Sequence, residues 1–345
     1  MERTAGQEAL PVYYGADGFA AGLERNSLHN KKRKEEKENN FKSTSFIWAP
    51  SQDSPAELSL RIFSKYKDGA AGNYAENNHH KLRLSTDVGF VGGAKAYTSI
   101  IDCATFADKL LPQLRELELN HFYEQLTGPV RFYADIEWYA QSDPTHVVEG
   151  TKIAFLKAFM DCAEESIRSK CKVSADAAVF RDAWRLSEAS NEKKASFHVT
   201  LIDVGYFSSN QLIKQLQIIQ DITERLTAKN AAFAELFKNS KEKGVPLDIS
   251  PYGNDNSFRL LHCAKKADPQ RTLRPVRITL DDKLEVIPDG QYNYLDYVVS
   301  HIPDGEHALV PKNLSDLKVN LNSRRNRSKV SGTPVPLNEQ SIPSL

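Results

Sequence analysis

The sequence predicts an α+β protein in which helices pack on a mostly antiparallel sheet, with a small N-terminal α/β module beside the main body. Three observations carry that prediction. Short runs rich in β-branched and aromatic residues recur with turn residues between them. Longer segments repeat apolar residues at helical spacing. Neighbouring strand-like runs are joined by short polar loops, the connection of a hairpin, and hairpin strands are antiparallel.

In chain order, FIWAP (46–50) and the segments Arg83 to Asp87 and Ala96 to Ile101 suit strands. Thr105 to Leu126, with leucines at 110, 111, 114, 117 and 119, suits a helix facing a core. Gly128-Pro129 then precedes the strand RFYADIEWYA, Arg131 to Ala140. Thr151 to Cys171 is a second helix, since Ile153, Phe155, Leu156, Phe159, Met160 and Ala163 lie on one stripe. AAVFRDAW (177–184) and ASFHVTLIDV (195–204) read as two strands of a hairpin closed by SEASNEKK. Asn210 to Lys238 is helical, with a break near Lys229-Asn230. PLDIS and SFRLLHCA are short strands joined by the turn-rich PYGNDN. RPVRITLDDKLEVIP is a hairpin around Asp281-Asp282, and YLDYVVSHI closes the ordered part as a short helix or strand. Residues 1–44 and 319–345 are polar and are expected to be largely without order, leaving 45–318 as the folded core.

Composition narrows the class. At 345 residues and 40% hydrophobic content the chain can bury a sizeable core, and its 26% charged fraction suits a soluble protein. No apolar run is long enough to span a bilayer and MERTAGQEAL lacks a secretory apolar region, so no membrane association and an intracellular location are expected. Cys103, Cys162, Cys171 and Cys263 form no C-x-x-C pair, which indicates buried free thiols. Net charge is zero, yet Lys31 to Glu38 (KKRKEEKE) and Ser323 to Lys329 (SRRNRSK) concentrate charge near the ends. Each block suits a solvated tail, a phosphate-binding arm or a nuclear-import signal.

Three clusters carry chemistry. In RFYADIEWYA, Asp135 and Glu137 share a strand face, because successive side chains point to opposite faces. Two adjacent carboxylates repel unless a cation lies between them, so the pair suits a hard divalent metal; solvated acids on an edge strand are the other way to carry it. In KKASFHVTL, Lys194, Ser196 and His198 alternate onto one face. A cation, a hydroxyl and an imidazole in a row suit the oxygens of a polyphosphate, and equally suit the polar face of a half-exposed strand. In PLDISPYGNDNSFRLLHCAKK, Asp248 ends an apolar stretch and is followed by Arg259 and Lys265. On a strand beside that of Asp135, Asp248 completes a three-carboxylate cage for two divalent ions about 4 Å apart.

Taken in order, ADIE (134–137), KASFH (194–198) and LDISPYGNDNSFRLLHCAKK (247–266) resemble the three motifs of the archaeo-eukaryotic primase superfamily, most closely its PrimPol-like primase-polymerases of eukaryotes and large DNA viruses. The resemblance spans about residues 45 to 302. It implies that Asp135, Glu137 and Asp248 are catalytic metal ligands for two Mg²⁺ or Mn²⁺ ions, that Lys194, Ser196 and His198 hold the phosphates of a nucleoside triphosphate, and that Arg259 and Lys265 add charge around them. It also implies a small N-terminal module packed beside an RNA-recognition-motif-like sheet, with the site in the cleft between them. Arg61 and Arg83 are upstream candidates for template or nucleotide contact.

The implied activity is template-directed nucleotide addition on single-stranded or primed DNA, in replication or translesion synthesis. Its implied setting is a nucleus or another DNA-containing compartment, with a helicase or single-strand-binding protein as the class of partner. Two departures bear on it: no C-terminal Cys/His zinc module is present, which weakens primer initiation relative to extension, and Asp255 stands where relatives tend to be basic. Within the same chemistry, an RNA-only replicative primase usually reads Asp-X-Asp where this chain reads Asp-Ile-Glu. A non-catalytic nucleic-acid-binding relative predicts decay of the acids or of the Ser-X-His row. A metal-dependent nuclease has no use for that row.

Overall fold

The computed structural model describes residues 12–14, 45–49, 60–63, 70–87, 95–118, 120–140, 143–238, 247–252, 257–265 and 268–313. The blocks Lys31 to Glu38 and Ser323 to Lys329, together with Asp255, lie outside the described residues.

The architecture is α+β, built on two larger sheets. Strands β1 (Val12–Tyr14), β2 (Ser45–Ala49), β3 (Leu60–Phe63), β4 (Leu82–Asp87), β5 (Lys95–Ile100), β6 (Phe122–Gln125) and β11 (Ser257–Arg259) form one sheet in the order β1-β2-β3-β5-β4-β6-β11. Strands β7 (Val130–Tyr139), β9 (Trp184–Glu188), β10 (Lys194–Phe207), β12 (Arg274–Ile278) and β13 (Leu284–Val286) form the other, in the order β13-β12-β9-β10-β7. A short pair joins β8 (Cys171–Lys172) to β14 (Val310–Pro311). Among the described strands only β1 and β2 pair in parallel; every other pairing is antiparallel. Strand β1 falls inside the N-terminal segment expected to lack order.

Each sheet has its own core. The long helix Glu149–Lys170 turns Ile153, Phe155, Leu156, Phe159, Cys162, Ala163 and Ile167 inward, onto the five-stranded sheet and the helix Ile218–Lys229. Each buried Phe or Leu contributes about 1.5–3 kcal/mol of transfer free energy, so this stripe fixes the helix more firmly than its weak N-terminal cap. The seven-stranded sheet packs Leu82, Leu84 and Phe122 against Phe106, Leu110 and Leu114. All four cysteines are free and buried.

Other elements also differ from the sequence expectation, and PLDIS contributes only an isolated bridge at Leu247 in place of a strand. The helix after Thr105 ends at Glu116, because Glu118 adopts a left-handed φ of 55° and the next residues pair as β6 with β4 and β11. AAVFRDAW is not a strand: Asp176 caps a helix over Ala177–Asp182 by accepting from the amides of Ala178 and Val179, and only Trp184 enters β9. The segment from Asn210 breaks at Gln217, φ 56°, as well as before Ala231. The expected hairpin does form, but between β9 and β10, with Phe197 opposite Glu188 and Leu201 opposite Trp184.

Strands β7 and β10 pair along nearly their whole length, from Lys194 opposite Tyr139 to Phe207 opposite Val130. The register shifts between Leu201 and Tyr206, where Gly205 takes φ 127° and a side-chain carbon would stand 2.9 Å from the His307 carbonyl oxygen. Only glycine fits that approach.

Candidate active site

The β7–β10 ladder decides which side chains meet. His198 lies directly opposite Asp135 and Ser196 directly opposite Glu137, so the acids and the Ser-X-His row share one sheet face. On the other edge of β7, Leu247 bridges Ile136 and the Asp248 amide donates to the Asp135 carbonyl at 2.8 Å. Asp248 is thereby set beside Asp135, and its carboxylate accepts from the Ser250 amide at 2.8 Å. The segment is anchored from below: Tyr133 Oη donates to the Pro251 carbonyl at 2.8 Å, Asn210 donates to the same oxygen at 3.2 Å, and Tyr252 Oη donates to the Tyr133 carbonyl.

The second sheet closes the site. Phe258 of β11 stacks on the His198 ring with centroids 4.0 Å apart, and meets Tyr133 edge-on at 4.8 Å. The next residue, Arg259, is buried in the same cleft, donates through one terminal nitrogen to the Arg271 carbonyl at 3.1 Å, and leaves its buried Nε without a partner. Lys265 reaches the cleft from the exposed turn that follows. The cleft therefore brings together all eight residues singled out in the sequence: Asp135, Glu137, Asp248, Lys194, Ser196, His198, Arg259 and Lys265. Arg61 and Arg83 do not line it; Arg83 pairs with Glu76 at 3.4 Å on the seven-stranded sheet.

The electrostatics follow from burial. The Asp135 carboxyl is pushed up to about 7, first by its removal from water and then by the negative charges of Glu137 and Asp248, with Arg259 and Lys265 partly offsetting them. His198 is held well below its ordinary value, first by burial and then by the Arg259 and Lys265 cations, so it is neutral at physiological pH. Its Nε2 stands 3.8 Å from an Asp135 oxygen, while its Nδ1 lies buried near the Arg259 main chain without meeting hydrogen-bond geometry to any group. Crowded acids and cations with shifted proton affinities in one cleft make it the candidate functional site.

Lys194 is engaged within the site itself. Its Nζ is hydrogen-bonded to Glu137 Oε2, and the pair is buried, each side chain 8% exposed. Among the described residues no group of three or more His, Cys, Asp and Glu side chains forms a ready-made metal cage. The Lys194 contact is the physical reason on Glu137's side, since one oxygen of that carboxylate is already neutralised.

The cleft also includes residues the sequence reading passed over. Tyr123 lines it, with Lys95 Nζ 3.7 Å above its ring centre and its hydroxyl donating to Asp87 at 2.7 Å. Arg271 lines it as well, held by donation to the Ala189 carbonyl at 2.9 Å and by Asp268 at 3.3 Å. Neither sits in a run with a charge pattern of its own, and only the packing of one sheet over the other brings them in.

No family model matches this chain, and no curated protein matches it.

Proposed function

We propose that this chain is a template-directed nucleotidyltransferase of the primase-polymerase type. The observation that carries the reading is the convergence of Asp135, Glu137 and Asp248 with Ser196, His198, Arg259 and Lys265 in one cleft between two sheets. The donor set fits hard divalent ions: three carboxylates supply oxygen ligands, and Asp135, raised first by burial and then by the charges of Glu137 and Asp248, is crowded by the other two acids. Asp135 and Asp248 would hold Mg²⁺ or Mn²⁺, with Glu137 joining once Lys194 lets go. Bound there, two such ions supply charge neutralisation at the transferring phosphoryl group and lower the proton affinity of the attacking hydroxyl.

The chain's own residues do the rest. Arg259 and Lys265 neutralise phosphate oxygens, and the His198 imidazole stands beside them in the cleft lining. Ser196 adds an adaptable hydroxyl. In the overall reaction a 3′-hydroxyl oxygen bonds to the α-phosphorus of a nucleoside triphosphate, the bond to the β-phosphate oxygen breaks, and pyrophosphate leaves with the displaced electron pair. A hydrolytic nuclease would use the acids on water but has no need of the Lys194, Ser196 and His198 row.

The test is extension on a single-stranded DNA template, with and without a primer, comparing ribo- and deoxynucleotides in Mg²⁺ and Mn²⁺. Template-directed product supports the reading. Strand cleavage without nucleotide addition, and no binding of intact triphosphate, favours the nuclease.

A further inference from the structure

A second cavity opens where two strands part. Strands β9 and β12 pair from Arg274 opposite Glu188 to Val276 opposite Leu186 and then stop, although β9 extends to Trp184 and β12 to Ile278. Continued pairing would set Arg277 opposite Arg185, two like charges across a ladder, which is destabilising. The gap is lined by three aromatic side chains, Trp184, Tyr292 and Tyr297, and by Arg181, Arg185 and Arg277.

The aromatic side chains are pre-set. Trp184 is braced edge-to-face by Phe132 and Phe159, each at 6.2 Å, and Tyr292 stands edge-on to Tyr297 at 5.7 Å. These contacts hold the rings in place, which lowers the entropic cost of binding a planar group. The charges are mostly spoken for. Arg185 donates to Asp296 at 3.0 Å, and Arg277 donates through Nε and Nη2 to one Glu285 oxygen, Oε2, at 2.8 and 2.6 Å. Arg181 is exposed and pairs with no carboxylate among the described residues, leaving the rim with one uncompensated positive charge.

One polar group has no protein account. Tyr297 is 6% exposed, yet its hydroxyl meets no hydrogen-bond partner. A buried hydroxyl is normally satisfied, so an unsatisfied one on a residue that lines a cavity calls for a partner from outside the protein.

We propose that this cavity binds one nucleotide unit of a single nucleic-acid strand, with the base against the Trp184 and Tyr292 side chains, a base heteroatom meeting the Tyr297 hydroxyl, and the phosphodiester near Arg181. Aromatic faces take any base, and a single net positive charge matches the single charge of a phosphodiester. An apolar peptide would satisfy neither Arg181 nor the Tyr297 hydroxyl. The inference rests on these residues alone and stands whether or not the acidic cleft transfers nucleotides.

The experiment uses the full chain and an oligothymidylate carrying one 5-iodouracil, in buffer without nucleotides or divalent ions, so that activity of the acidic cleft does not enter. Ultraviolet cross-linking and peptide mapping should place the adduct on Trp184, Tyr292 or Tyr297. Arg181→Glu should weaken binding about tenfold and reduce the salt slope by about 0.7. Tyr297→Phe keeps the ring and removes only the unsatisfied hydroxyl; it should lower the cross-link yield at least threefold while the melting temperature stays level or rises. Adducts confined to other peptides, or unchanged affinity and yield in both variants, overturn the proposal.

Discussion

Burial and two neighbouring cations keep the His198 imidazole neutral, and a neutral ring offers one N–H and one lone pair. With Nε2 3.8 Å from the nearest Asp135 oxygen, beyond hydrogen-bond distance, that ring can donate to an incoming phosphate without first losing a hydrogen bond to the acid. His198→Ala should therefore cost about 1.5 to 3 kcal/mol in nucleotide binding, or about one to two decades in half-saturation, with template affinity unchanged. Titration of nucleoside triphosphate against primed template measures it; coincident curves would return the row to ordinary strand polarity. Lys194 makes a different forecast. Because Glu137 is its buried partner, Lys194→Ala leaves a carboxylate unpaired in a dry site and should destabilise the fold by about 3 kcal/mol, most of it recovered when Glu137→Gln is added. Urea unfolding of the single and double variants reads this directly, and additive effects would show that the pair is not coupled. Strand parity alone was enough to place Asp135 with Glu137, and Lys194 with Ser196 and His198, on common faces. The Lys194–Glu137 contact was not legible, since it is a diagonal between Lys194, opposite Tyr139, and Glu137, opposite Ser196, and depends on a register that no single strand states.

Strand β6 carries a fully buried acid that ties the C-terminal segment to the seven-stranded sheet. Glu124 accepts from the Val299 amide at 3.0 Å, the Ser300 amide at 2.9 Å and the Ser300 hydroxyl at 2.7 Å. Burial nevertheless outweighs these donors and pushes its carboxyl up to about 7. A raised carboxyl binds a proton in the native state over a range where the unfolded chain has lost it, so its contribution is present below the unfolded value near 4.5 and is lost as pH rises through about 7. The account predicts that wild type loses stability relative to Glu124→Gln between those limits, by up to about 3 kcal/mol. Denaturant melts of both proteins at several pH values check it, and parallel pH profiles would contradict it. This anchor was not readable in the sequence because residues 117–126 carry leucines that extend the preceding helical stripe. Pairing with β4 and β11 overrides that local signal, just as the Asp176 cap overrides the strand-like AAVFRDAW. Long stripes such as Glu149–Lys170 and turn-bounded hairpins such as β12–β13 were legible, because their signals are local and mutually consistent.

Across the whole molecule the net charge is zero, and the candidate cleft is balanced too, gathering four acids, Asp135, Glu137, Asp248 and Asp268, beside four cations, Lys194, Arg259, Lys265 and Arg271. On the proposed function, basic side chains meet strand phosphates and release their counterions, so affinity for single strands should fall steeply with added salt. Deleting residues 319–345, with the basic run Ser323 to Lys329, should weaken binding and flatten the salt dependence; an unchanged slope would make that tail a bystander. No described helix is long and apolar enough to cross a membrane. The order of strands and the closing of one sheet over the other, which bring β11 to β7 and β10, are long-range choices that no stretch of sequence announces. The most direct measurement pairs primer extension with thermal melting for wild type, Asp135→Ala and Asp248→Ala. If these carboxylates hold the catalytic charge, both variants lose nucleotide addition, while removal of a mutually repelling acid leaves the melting temperature level or higher. Near-normal extension by either variant would contradict the assignment of the site.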